Sequence, residues 1–147
     1  MSLQDLLQNR ALLAAAVTWL VSQAVKPVLF WLTERRWDWR LLFSSGGMPS
    51  SHSAGVSALA VSIGISEGLD SGAFAIALVT AIVVFYDAAG VRRATGIQAN
   101  ILNQMLTELF SGDPIAQTRL LELIGHTPFE VVVGAVLGAA IAFALFH

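Results

Sequence analysis

Four apolar stretches divide the chain and dictate its fold class: Ala11–Leu32, Ser53–Ser66, Ala73–Val91 and Pro128–Phe146. A bilayer core of about 30 Å takes roughly 20 helical residues to cross, so the first, third and fourth are long enough and the second is marginal. In hydrocarbon every backbone N–H and C=O must be satisfied within the segment, which points to helices. The composition agrees: at 56% hydrophobic and 12% charged residues, with a mean hydropathy of +0.71, the chain is too apolar for a water-soluble domain of its length. The expectation is therefore an all-α integral membrane helical bundle, residues 1–147 forming a single domain in the lipid bilayer, with about four spanning helices. The first stretch continues into a tryptophan-rich segment without a small-residue cleavage site, so it reads as a retained helix and not a signal peptide. With no cysteine there is neither a disulfide framework nor a thiolate metal site. Nothing in the charge pattern suggests nucleic acid.

Between the third and fourth stretches, Ile97, Ile101, Met105, Leu109 and Phe110 share one helical side, while Asn100, Asn103, Gln104 and Thr107 gather on another. This suits an amphipathic helix lying on the membrane surface or closing over a polar site. Ser111-Gly112-Asp113-Pro114 should end it, and Ile115–Ile124 reads as a second short helix. One or two short interfacial helices are thus expected beside the spanning ones.

If four helices cross, the end of the first, the start of the second, the end of the third and the start of the fourth share one membrane face. Those places hold Lys26 with Arg35 and Arg36, then His52, then Asp87 with Arg92 and Arg93, then His126 with Glu130. The spans follow from hydropathy alone, so this convergence of polar residues is independent of their chemistry. The same count puts Lys26, Arg35, Arg36, Arg40, Arg92, Arg93 and Arg119 on that face and leaves Arg10 opposite. By the positive-inside rule the face is cytoplasmic.

The second stretch is preceded by Gly46-Gly47-Met48-Pro49-Ser50-Ser51-His52-Ser53. Glycines free the backbone and a helix start leaves N–H groups unpaired, so such a loop can close around an anion with His52 beside it. A plain turn with a serine cap has the same look. What favours the anion is the company of other groups: guanidinium and ammonium groups match phosphate oxygens and stabilise charge developing in the transition state. An imidazole titrates near ~6.5 when unperturbed, so one histidine can attack phosphorus and another protonate the departing oxygen. That design requires no metal and no other cofactor.

These residues resemble the type 2 phosphatidic acid phosphatase and vanadium haloperoxidase family, specifically its short divergent bacterial and plastid branch. Pro49-Ser50-Ser51-His52 is similar to the family's Pro-Ser-Gly-His motif with serine in place of glycine. Arg92 or Arg93 resembles the arginine of its third motif, and His126-Thr127-Pro128-Phe129-Glu130 resembles that motif's His-x-x-x-Asp with glutamate substituted. Lys26 and one of Arg35 or Arg36 look like its first motif. The resemblance implies His126 as a nucleophile forming a phosphohistidine, Glu130 as its orienting carboxylate and His52 as general acid. It likewise implies Lys26, Arg35 or Arg36, Arg92 or Arg93 and the N–H groups near Ser50 and Ser51 as phosphate ligands. It further implies a bacterial inner membrane or plastid-type membrane. The family's usual helices number six, so further helices would come from a second copy in a homodimer.

Plainer roles compete for several of these residues. Thr127-x-x-Glu130 is a capping box with Pro128 as first helical residue, which alone would explain Glu130. Arg35, Arg36 and Arg40 interleave with Trp31, Trp37 and Trp39 as in a membrane-interface anchor; we assign Arg40 and the tryptophans to anchoring and one of Arg35 and Arg36 to the site. An ionised Asp87 at mid-membrane would cost about 2.5–3.5 kcal/mol, so it is expected near the interface, paired with a cation or His52 in preference to holding a metal. Gly134-x-x-x-Gly138 permits close helix packing, within one chain or across a dimer. His147 reads as a solvated terminus. The reading adopted is a metal-independent phosphatase acting on a membrane lipid phosphate or diphosphate. The alternative is a non-enzymatic protein that binds anionic lipid or a partner through the same basic pocket, with a small transporter ranked last.

Overall fold

The computed structural model describes residues 3–44, 46–109 and 126–146, of which 3, 5, 91–97 and 106–109 are described in backbone alone. Among the described residues five α-helices follow one another: α1 (Leu3–Gln8), α2 (Arg10–Glu34), α3 (Ser51–Glu67), α4 (Gly72–Leu109) and α5 (Pro128–Phe146), with a short 3-10 turn over Trp39–Phe43. Asn9 separates α1 from α2 by accepting a hydrogen bond from the Leu12 N–H at 3.0 Å, a side-chain cap on the first long helix.

α2, residues Gly72–Gly90 of α4, and α5 are long and apolar enough to cross a membrane. α3 has 17 residues, about 25 Å of helix, and packs against α2, α4 and α5. Its marginal hydropathy has a physical reason. Its buried residues are Ser51, Ser53, Ala54, Ala58, Ala60 and Ser62, small side chains that let three neighbours approach where lipid would demand bulk.

The distribution of apolar residues is that of a protein dissolved in lipid. Among the described residues eight of the nine buried hydrophobic ones are alanine, whereas Leu20, Ile76, Val79, Val136 and Phe143 stand exposed on the helices' outer faces. An aqueous domain would bury these large side chains.

The tightest seam joins α3 to α5. A Cβ added at Gly134 would collide with the carbonyl oxygen of Ser50, and one at Gly138 with that of Ala54. Ser57 Oγ donates to the Ala135 carbonyl at 2.7 Å along the same contact. Both glycines therefore serve packing within one chain.

One expectation is revised. The amphipathic stretch beginning at Ile97 is helical, with Gln104 Nε2 donating to Asn100 Oδ1 at 3.0 Å on its polar side, but it continues α4 without a break. No proline lies between Asp87 and Leu109 to stop the helix, and the break in hydropathy at Arg92-Arg93 is not a break in backbone geometry. The second short helix expected over Ile115–Ile124, together with Phe110, Arg119 and His147, lies outside the described residues.

Candidate functional site

Three helices and a loop bring the site together. Lys26 is buried near the end of α2, where its Nζ donates to the Ser44 carbonyl at 2.8 Å and to Ser51 Oγ at 3.3 Å. An ammonium has three donors, so one remains for a ligand. Gly47, in the loop above, adopts φ +89°, a conformation open to glycine and strained for other residues.

Ser50 caps α3. Its Oγ accepts from the Ser53 N–H at 3.3 Å and from the Ser53 hydroxyl at 2.9 Å, while its own N–H donates to the Glu130 carbonyl at 3.2 Å. Ser50 is thus spent on holding α3 to α5 and has no N–H left for a phosphate. Among the described residues the N–H groups of Ser51 and His52 carry no partner and aim off the helix start, where an anion is favoured.

His126 precedes α5 and is 3% exposed. Its backbone N–H donates to the Ala88 carbonyl of α4 at 3.3 Å, and its Nδ1 stands 3.3 Å from Glu130 Oε2. Opposite a carboxylate, Nδ1 carries the proton, and Nε2 keeps its lone pair. That Nε2 is buried and has no hydrogen-bond partner among the described residues. Burial pushes the His126 imidazole below its usual range near 6.5; the hydrogen bond and charge of Glu130 oppose this, and the Lys26 and His52 charges add to it. The sequence expectation of an unperturbed value is corrected for this residue. His52 is exposed, its ring centroid 6.1 Å from that of His126 at an interplanar angle of 60°.

Glu130 fills both of its readings at once. Its Oε2 accepts from the Thr127 N–H at 2.9 Å while the Glu130 N–H donates to Thr127 Oγ1 at 3.2 Å, a complete capping box, and the same oxygen faces His126. The cap fixes the rotamer that the imidazole uses.

Lys26, Ser51, His52, His126 and Glu130 therefore meet, with Ser50 supporting them. Arg35 and Arg36 do not join. Arg35 ends α2 in the left-handed region at φ 56°, and its guanidinium lies 5.9 Å from the Trp31 ring centroid. Arg36 is exposed, and Trp31, Trp37 and Trp39 stack at 5.7 and 5.5 Å, an aromatic ladder suited to the interface. Asp87 is exposed and makes no hydrogen bond or ion pair among the described residues, so the expected pairing with His52 is not present there. Arg92 and Arg93 lie about one turn beyond Ala88 on α4; their side chains are outside the described residues. No group of three or more His, Cys, Asp and Glu among the described residues is placed to hold a metal ion. Three partners escaped sequence reasoning, the carbonyls of Ser44, Ala88 and Glu130, and no side-chain signal could have revealed them.

The sequence profile of the divergent PAP2 family matches residues 7–141. The chain belongs to the divergent PAP2 family. It is also 35% identical over 154 residues to the uncharacterized membrane protein YuiD of Bacillus subtilis (strain 168), an alignment covering 97% of this chain and 98% of that protein. No solved structure matches. Family, helical fold and membrane character thus agree with the geometry, and the motif-bearing residues lie inside the matched range.

Proposed function

We propose that this divergent PAP2 protein is a lipid phosphate phosphatase that works through a phosphohistidine, on a phosphomonoester or diphosphate of a membrane phospholipid or isoprenoid. The observation that carries the reading is the buried, unpartnered Nε2 of His126 with Nδ1 held by Glu130. A buried polar atom without a partner is costly, and the cost makes sense where the atom is to receive an electrophile.

In the proposed reaction Nε2 attacks phosphorus, an N–P bond forms and the ester P–O bond breaks. His52 in its protonated form delivers a proton to the departing oxygen and is left as the neutral base that the second step needs. Water then attacks the phosphohistidine, His52 taking its proton, and Nε2 leaves as a neutral nitrogen. Lys26 and the N–H groups of Ser51 and His52 neutralise the phosphoryl oxygens, with Arg92 or Arg93 as additional ligands. The two rings are close enough to flank a single phosphoryl group, and no hydrogen bond joins them.

The test is phosphate release by purified protein from phospholipid and isoprenoid phosphates, with EDTA or vanadate, beside His126→Ala. Release that survives EDTA, falls with vanadate and disappears in the variant supports the proposal. Saturable lipid binding with no release from any substrate would replace it by the lipid-binding alternative, for which the same pocket suffices.

A further inference from the structure

The reaction above uses the ammonium of Lys26 and leaves the surroundings of its stem unused. Lys26 also lines a cavity of about 170 Å³ between α2 and the segment that follows it. The α2 wall is Lys26, Leu29, Phe30 and Thr33, spaced i, i+3, i+4 and i+7 along one helix face, with Leu41 and Met48 opposite. The Thr33 hydroxyl is spent on its own helix, donating toward the Leu29 and Phe30 carbonyls, each at 3.1 Å. The lining therefore offers an occupant hydrocarbon contact and one charged group, the lysine that also reaches Ser51 in the site.

We infer that this cavity seats the first carbons of a single hydrocarbon chain whose phosphate lies at Lys26, so that the site selects alkyl or prenyl phosphates over diacylglycerol phosphates. This rests on the phosphatase-type reading of the Lys26 cluster. Size is the first argument: an apolar cavity of about 150 Å³ accepts benzene, so this half-open one, of about 170 Å³, has room for roughly six carbons, those of one chain. Chemistry is the second. In a diacylglycerol phosphate the groups nearest the phosphate are a glycerol and two esters, whose carbonyls would be desolvated against Leu29, Phe30, Leu41 and Met48, with no free hydroxyl among the described lining residues to meet them. In an alkyl or prenyl phosphate, hydrocarbon begins at the phosphate ester. Selection arises from shape and polarity, because a chain leaving lipid for a protein wall gains little from dewatering.

The experiment is photolabelling of the full chain in phosphatidylcholine nanodiscs with dodecyl phosphate carrying a diazirine on its third or fourth carbon. The expected adducts fall on Leu29, Phe30, Leu41 or Met48. Unlabelled dodecyl phosphate should compete, and dioleoyl phosphatidic acid should compete roughly tenfold less. Filling the cavity by Thr33→Trp, or by Met48→Trp in the loop, should cut labelling roughly tenfold. Adducts on outward residues of α4 such as Ile76 and Val79, or equal competition by phosphatidic acid, would overturn the inference. Phosphate release from dodecyl phosphate is followed in parallel: labelled cavity residues without release refute the phosphatase and keep the cavity, whereas release with adducts elsewhere does the reverse.

Discussion

Glu130 Oε2 sits 2.9 Å from the Thr127 N–H and 3.3 Å from His126 Nδ1, so one oxygen both caps α5 and orients the imidazole. The two tasks separate by mutation. Glu130→Gln keeps an acceptor for Thr127 but removes the charge opposing His126. It should cost about 10²-fold or more in turnover, within the span of general acid–base effects, with a small change in melting temperature. Glu130→Ala should add about 1 kcal/mol of destabilisation from the lost cap, read by thermal unfolding in detergent. Equal turnover in the wild type and Glu130→Gln would remove the carboxylate from the mechanism.

The histidines should differ in their response to substitution. His126→Ala removes the nucleophile and should abolish turnover, while His52→Ala should lose about 10²–10⁴-fold, the range of a general acid. Substrates with good leaving groups, such as nitrophenyl phosphate, should recover much of the His52→Ala loss and none of the His126→Ala loss. Full activity of either variant on an alkyl phosphate would sink its assigned role.

Acid should destabilise the protein through His126. Burial lowers its folded-state pKa from 6.5, so between that lowered value and 6.5 the unfolded chain binds more protons than the folded one. The stability is fully present above 6.5 and is lost as pH falls through the folded value. The melting temperature in detergent should therefore fall on acidification from neutrality, and the slope should flatten in His126→Gln. An unchanged slope in that variant would assign the acid sensitivity elsewhere.

Hydropathy made the apolar cores of the helices legible, and Pro128, fit for a first helical turn, marked the start of α5, because burial in lipid and helix capping act on local sequence. The site was legible where several side chains of distinct chemistry fell on one face by parity, as Lys26, His52, His126 and Glu130 do. What sequence does not encode locally stayed hidden. The left-handed turn at Arg35 carries that guanidinium to Trp31, and nothing in the string Glu34-Arg35-Arg36 distinguishes this from a turn toward the site. Ser50 looks like a ligand until its hydroxyl and N–H are seen to be taken by Ser53 and Glu130. The continuity of α4 was obscured because charge at Arg92-Arg93 lowers hydropathy while leaving the helix intact.

The α3–α5 seam gives a stability test with an internal control. Gly138→Ala and Gly134→Ala would drive a methyl into the carbonyls of Ala54 and Ser50, and overpacking of this kind costs about 1–3 kcal/mol or more. Gly134→Ala should also displace the Ser50 N–H from the Glu130 carbonyl and so disturb the site. At Gly90 an added Cβ meets nothing within 4 Å among the described residues, and Gly90→Ala should be neutral or raise stability by up to about 1 kcal/mol from helix propensity. Thermal unfolding of the three variants in one detergent checks this. Equal effects at all three positions would mean that the seam is not close-packed.

Topology offers the most direct test of the bundle, because the cysteine-free chain permits single-cysteine labelling without a background to remove. With α3 crossing as well as α2, α4 and α5, Gln4→Cys and Phe146→Cys should react with a membrane-impermeant maleimide from the same side, and Arg36→Cys from the other. The seven cations that the parity of four crossings would group on the Arg36 face predict that this face is cytoplasmic. Were α3 a re-entrant segment, its 17 residues turning back within the bundle, the two termini would label from opposite sides. Lys26 Nζ of α2 donates to Ser51 Oγ of α3 at 3.3 Å, and the ring centroid of His52 on α3 is 6.1 Å from that of His126 at the start of α5, which requires those helix ends to share a face. Opposite-side termini would therefore overturn the antiparallel arrangement on which the site depends.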